Sequence, residues 1–183
     1  MELIIGLAAV ALIAVFFISQ YNRLITLNIT VDEAWAQIEV QLKRRTDLIP
    51  NLVETVKGYA KHEQSTFDAV ITARAKATTA TTVADTAAAD GMLTQALRGL
   101  LAVAEAYPDL KASTNFLSLQ EELATTENKV AFSRQFYNDN VRSLNTAVKT
   151  IPSSFFAGFA KVSEREFYEV EDPQDRKAPN VTF

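Results

Sequence analysis

The stretch VDEAWAQIEVQLKRRTDLIPNLVETVKGY, residues 31–59, decides the fold. Within it Val31, Trp35, Ile38, Leu42, Arg45, Ile49, Leu52, Val56 and Tyr59 recur at alternating steps of four and three. That spacing is a heptad seam, one side of a long helix pressed against partner helices. Every seam position except Arg45 is apolar or aromatic. Thr30, placed three residues ahead of Glu33, reads as a capping box that opens the helix. Pro50 lies inside the pattern, where a proline loses one backbone bond and crowds the carbonyl of Thr46. The seam keeps its phase across Pro50, so the spacing predicts a kink there and not a stop.

Upstream, residues 3–18 read LIIGLAAVALIAVFFI, an apolar run without a charge. Its length lies between a short span and a signal-peptide core, and Met1, Ser19 and Tyr21 bring it near the ~20 residues a bilayer needs. A retained anchor is favoured over a cleaved signal. Acidic Glu2 precedes the run where a signal carries positive charge, and no small-x-small cleavage site follows. Tyr21 and Arg23 suit the membrane interface just beyond it. Arg23, Lys43, Arg44 and Arg45 all follow the run and no Lys or Arg precedes it. The positive-inside rule then places the N-terminus outside and the following domain in the cytoplasm. The sequence therefore divides into an anchor (1–23), a helical bundle (24–168) and a mobile acidic tail (169–183) interrupted by prolines.

The connector 24–30 (LITLNIT) has mediocre helix propensity. Yet Leu24, Asn28 and Val31 extend the seam backwards. A nearly continuous helix from membrane into bundle is favoured, with a short hinge as the alternative. Downstream, the first bundle helix is expected to continue to about Ala75. A helix of ~45–50 residues is roughly 70 Å long, which suggests a rod standing off the membrane. Residues 72–90 are almost all Ala, Thr and Asp, and read as fraying helix, mobile loop and a restart near Asp85 or Asp90. A second helix follows over 87–107, with Leu93, Leu97, Leu100, Leu101 and Ala104 on its apolar face and Pro108 closing it. A third begins near Ser113 or Thr114. Its seam reads Gln120, Leu123, Glu127, Val130, Arg134, Tyr137, Val141, Leu144, Val148 and Ile151, and Pro152 ends it. Beyond lie Phe155, Phe156, Phe159, Phe167 and Tyr168, which either cap the bundle or touch a partner; a cap is favoured. The fold expected is all-α: a transmembrane helix followed by an elongated antiparallel bundle of three helices, with a short fourth after Pro152.

Several of these motifs resemble the LemA family. They are Tyr21 and Asn22, Ala34 and Trp35, 38–45 (IEVQLKRR), 47–53 (DLIPNLV), 56–59 (VKGY), His62 and Glu63, and 104–112 (AEAYPDLKA). A second signature comprises Glu121, Glu122, Leu123, 126–130 (TENKV), Arg134, Tyr137, Asn138 and Val141. The chain departs from the pattern at Leu144-Asn145, where Tyr-Asn is usual, at Ile151-Pro152, where Phe-Pro is usual, and at Glu39, where Asp is common. The resemblance covers nearly the whole chain. It implies an anchor with a small outer N-terminus, and some relatives are associated with internal bacterial membranes.

Composition narrows function. The chain has 183 residues, no cysteine and a net charge of −4, which together exclude a disulfide framework and argue against nucleic acid. The single histidine, His62, has no second His or Cys to join it as a metal ligand, and no Gly-rich phosphate loop or Gly-x-Ser-x-Gly is present. No cofactor is expected. Three functions are weighed. The first is a membrane-anchored scaffold or adaptor, held in the bilayer by residues 3–19, that self-associates and organises membrane proteins or the bilayer. The second is an accessory subunit of one membrane protease or transporter. The third is a hydrolase using His62. The Lys43-Arg44-Arg45 cluster is read as a partner-binding or solvated face rather than a lipid headgroup site.

The polar intruders on the two seams, Arg45, Glu127 and Arg134, either meet in a partly buried network that fixes register or snorkel to the rim. A buried pair predicts that Glu127→Ala lowers stability by several kcal/mol, whereas a loss below ~0.5 kcal/mol marks a rim position; chemical denaturation measures which.

Overall fold

The computed structural model describes residues 1–169, and among them every regular element is helical. The six helices are α1 (Glu2–Lys57), α2 (Gln64–Thr79), α3 (Val83–Glu105), α4 (Pro108–Lys111), α5 (Thr114–Lys149) and α6 (Ser154–Ala160). The expected tail, 169–183, lies outside the described residues except for Glu169. The chain forms two compact units, and both α1 and α5 contribute to each.

The first unit comprises Met1–Gln37 and Ser133–Phe167. Here α1 is uninterrupted from Glu2 through the 24–30 connector, so the continuous helix replaces the hinge. The capping box at Thr30 is not used. The Thr30 hydroxyl donates instead to the Thr26 carbonyl, at 2.9 Å, as a hydroxyl in a helix interior does. Leu24, Val31 and Ala34 are buried, and so are Tyr137, Val141, Leu144 and Ala147 on α5. The Trp35 ring meets Tyr137 with centroids 5.5 Å apart.

After α6, residues 162–167 run without regular structure as a strap. Side chains of α5 satisfy its backbone. The Asn145 amide donates to the Arg165 carbonyl at 2.8 Å and accepts from the Arg165 N–H at 2.8 Å. It thereby does the work of a neighbouring peptide group. The Tyr137 hydroxyl donates to the Glu166 carbonyl at 2.8 Å. Arg165 also pairs with Asp32 of α1, and Lys149 with Glu164 at 2.7 Å. The short helix expected after Pro152 is α6. Its C-cap, Lys161, takes the left-handed conformation (φ 51°) that lets its N–H return to the carbonyls of Ala157 and Gly158.

The second unit comprises Ile38–Phe132 together with Tyr168. It is an up-down-up-down bundle. Arg74 of α2 bonds the Thr46 carbonyl, while Lys57 sits over the Phe67 ring, so α1 and α2 are antiparallel. Its core is built from Ile49, Leu52 and Val56 of α1, Phe67 and Val70 of α2, Leu93, Leu97 and Leu100 of α3, and Phe116 and Leu123 of α5. The seam of 31–59 is thus the buried side of α1 up to Val56, whereas Tyr59, beyond the helix end, is exposed. The helix continues through Pro50.

Two boundaries differ from expectation. The helix expected to reach Ala75 ends at Lys57, and a turn at 58–63 reverses the chain into α2. Gly58 opens that turn without a left-handed backbone, its N–H still bonding the Glu54 carbonyl at 3.2 Å, and the unbroken seam spacing masked the helix end. The long reach from Thr30 to Ala75, and the rod inferred from it, therefore lose their basis. The Ala/Thr stretch 72–90 is mostly helical, with only 80–82 between α2 and α3. The second expected helix starts at Val83, where the Thr82 hydroxyl caps it by accepting from the Asp85 N–H at 3.0 Å.

Tyr137 carries a titration signature. Burial first, then the neighbouring Glu166 carboxylate, raise its phenol above the ordinary range. The folded state then keeps a proton that the unfolded chain loses, so this contribution to stability is complete below about pH 10 and is lost as pH climbs through the raised value. Ultraviolet titration of tyrosinate should show a late-ionising phenol in the native protein that Tyr137→Phe abolishes; a wild-type-minus-variant difference centred at the ordinary phenol range would contradict this.

Candidate functional site

The polar centre of the second unit forms where the seam of α1 carries its one charge. Arg45 points into the bundle with its side chain 3% exposed, and meets Asp90 of α3, 4% exposed. Arg45 Nη1 donates to Asp90 Oδ1 at 2.6 Å. The other carboxylate oxygen, Oδ2, accepts from the Tyr168 hydroxyl at 3.2 Å. Both oxygens of the buried carboxylate are therefore occupied, one by a cation and one by a neutral donor. The carboxylate is thus fully answered, while the Arg45 Nε, also buried, makes no hydrogen bond.

Glu127 on α5 brings Oε1 within 3.9 Å of Arg45 Nη2, yet its side chain stays 52% exposed. Arg45 and Glu127 are thus brought near each other, with Glu127 at the water's edge. Arg134, two turns further along α5, falls in the first unit and is half-buried. The residues that sequence reasoning missed are Asp90 and the hydroxyl of Tyr168. Asp90 sits in an Ala-rich stretch with no large neighbours to reveal a period. Its one available signal was a helix-interior carboxylate three residues before Leu93, on the same side of the helix.

The rest of the basic cluster is occupied by carboxylates. Lys43 pairs with Asp47 at 3.0 Å and Arg44 with Glu122 at 2.8 Å, both in solvent. Such exposed pairs contribute little, on the order of 0–1 kcal/mol. His62 is exposed in the turn between α1 and α2. Among the described residues no group of three or more His, Cys, Asp or Glu is placed to hold a metal ion.

At the other end of α1 lies a different kind of feature. Among the described residues α1 is the one helix long and apolar enough to cross a membrane, and its apolar window is entirely unburied by the rest of the chain. Tyr21 and Arg23 follow that window and are exposed.

Among the described residues, bundle and apolar leader together define an all-helical protein with one candidate membrane span. The chain belongs to the LemA family, whose profile matches residues 34–183. It is similar to the magnetosome protein MamQ of Magnetospirillum gryphiswaldense, at 23% identity over 192 residues, covering 88% of this chain and 71% of that protein. Magnetosome proteins MamQ 1 and MamQ 2 of Paramagnetospirillum magneticum are each 23% identical over 195 residues, covering 92% of this chain and 71% of theirs.

Removing Asp90 leaves Arg45 charged and uncompensated in the core, so Asp90→Ala should lower unfolding stability by roughly 3–5 kcal/mol. Glu127→Ala, at the half-exposed edge of the same cluster, should cost about 1 kcal/mol or less. Equilibrium denaturation of both variants in one detergent checks the contrast, and equal losses would contradict it.

Proposed function

We propose that this chain is a membrane-anchored, non-enzymatic helical scaffold that self-associates and organises membrane proteins or the bilayer. The observation that carries the proposal is the continuity of α1. One helix supplies the apolar leader and then, without a break, Leu24, Val31 and Ala34 to a packed core. A flexible leader would tether a domain; an unbroken one holds it in a set orientation. The anchor is residues 3–19, with Tyr21 and Arg23 at the interface, in the inner membrane. The charge order around the span favours an outer N-terminus and a cytoplasmic bundle.

Self-association is supported by apolar side chains on the outside of α5. Phe132 is 69% exposed and Phe136, one turn on, 37%. Isolated apolar groups on a surface need no explanation, but two phenylalanines one turn apart on a helix form the start of a contact strip. The similarity to magnetosome proteins supports a role in organising a cellular structure over one in substrate turnover. His62, solvent-facing and joined by no second histidine, offers little to a hydrolytic reading.

Light scattering of the full chain in detergent at micromolar concentration should give a mass above that of one chain plus its micelle, and Phe132→Ser with Phe136→Ser should reduce it toward the monomer. A monomer in the unaltered protein would overturn self-association and leave the role of accessory subunit to a single membrane protein. His62→Ala should leave the cellular phenotype unchanged, and loss of that phenotype in a folded variant would revive catalysis.

A further inference from the structure

The residues that follow Pro152 split into two faces with opposite fates. Phe156 is buried, and its partners are in the apolar leader. Its ring stands edge-on to Phe17, with centroids 4.8 Å apart and planes at 87°, and to Phe16 at 6.3 Å and 74°. Three residues earlier the Ser153 hydroxyl, itself buried, donates to the Gln20 side-chain oxygen at 3.1 Å. Thus α6 starts beside Gln20, just after the 3–18 run, and packs Phe156 level with Phe16 and Phe17.

The outward side of α6 carries Phe155 and Phe159, four residues apart and 67% and 82% exposed, and Ile151, just before the helix, is 76% exposed. Three large exposed apolar groups on and just before a seven-residue helix are costly in water. Lys161, also exposed, follows at the C-terminal end of α6. Large apolar side chains with a lysine beside them are the composition of a helix lying in a membrane interface.

We propose that α6 is a second membrane contact: a short interfacial helix that seats Ile151, Phe155 and Phe159 in the lipid leaflet beside the end of the span, with Lys161 at the headgroups. This rests on residues 3–18 being a membrane span. The occupant is lipid because the exposed face is continuous with the leader. If Phe16 and Phe17 stand in the hydrocarbon, a helix packed edge-on against them stands at its boundary. The Phe156 contact sets the depth and the Ser153–Gln20 bond sets the rotation, so the outward face is directed away from α1 into the surrounding lipid. The anchor then has two arms in the leaflet adjoining the bundle, and the helix cannot rotate about its own axis without dragging aromatic rings through headgroups.

The test uses the absence of native cysteine. Single variants Phe159→Cys and Leu12→Cys of the full chain accept a nitroxide label, and both are reconstituted in phosphatidylcholine vesicles. Collisions of the label with oxygen, which concentrates in hydrocarbon, are compared with collisions with a water-soluble nickel chelate. Both positions are exposed in the folded chain, so labelling leaves the core intact. The expected result is that both labels favour oxygen over the chelate, with the label at 159 shallower than that at 12. If the label at 12 favours oxygen and that at 159 favours the chelate, the span stands and the interfacial helix is overturned. If the label at 12 itself favours the chelate, the span fails and the interfacial helix falls with it. A label at 159 shielded from both reagents and broadened by a second nitroxide places the face against another copy of the chain, which also overturns the proposal.

Discussion

The rest of the structure depends on a backbone constraint in α1. A segment inside hydrocarbon must satisfy its N–H and C=O groups internally, and a helix does so along its own length. The first residues of this chain meet that demand, and the helix they nucleate is never released. It passes the polar residues Gln20, Asn22 and Arg23 and continues as the buried partner of α5. The connector 24–30 is rich in β-branched residues that favour helix poorly, so its continuity is owed to the packing of Leu24 and Val31 rather than to propensity. The strap 162–167 reinforces the same stretch from outside through the Arg165–Asp32 ion pair.

The two units solve the problem of polarity in different ways. In the second, a charge in an otherwise apolar seam is answered by Asp90 and Tyr168, both buried. A slip of either helix by a turn would part Arg45 from Asp90 and leave buried charges without partners. In the first, an irregular strap of backbone is held by single side chains. Asn145 and Tyr137 replace the ladder partners that the strap lacks, so that peptide groups lying against the helices are not left without partners. Both arrangements draw on residues far apart in sequence, which makes each unit close on its own chain ends.

What could be read in advance follows from periodicity. The seams of α1 and α5 were legible because an apolar residue every three or four positions leaves few alternatives to a packed helix, and Pro108 and Pro152 marked ends because proline cannot continue one. The end of α1 at Lys57 was hidden by a seam that stays in phase through Tyr59. Asp90 was hidden because alanine neighbours carry no pattern, and a carboxylate among them looks like solvent. Asn145 belongs to a motif by its sequence alone, and its use as a clasp depends on a backbone segment that has no period at all. The aromatic residues after Pro152 were visible as a cluster, but only the three-dimensional partner of each ring separates Phe156, which is buried, from Phe155 and Phe159, which are not.

The claim at the centre is that the apolar leader and the packed bundle are joined by one continuous helix. Hydrogen–deuterium exchange of the full chain in lipid vesicles addresses it most directly, resolved over residues 20–34. Slow exchange throughout, with amides of 24–30 protected as well as those of 31–34, is the result expected of an unbroken α1. Rapid exchange confined to 24–30, between protected flanks, would reveal a hinge and contradict it.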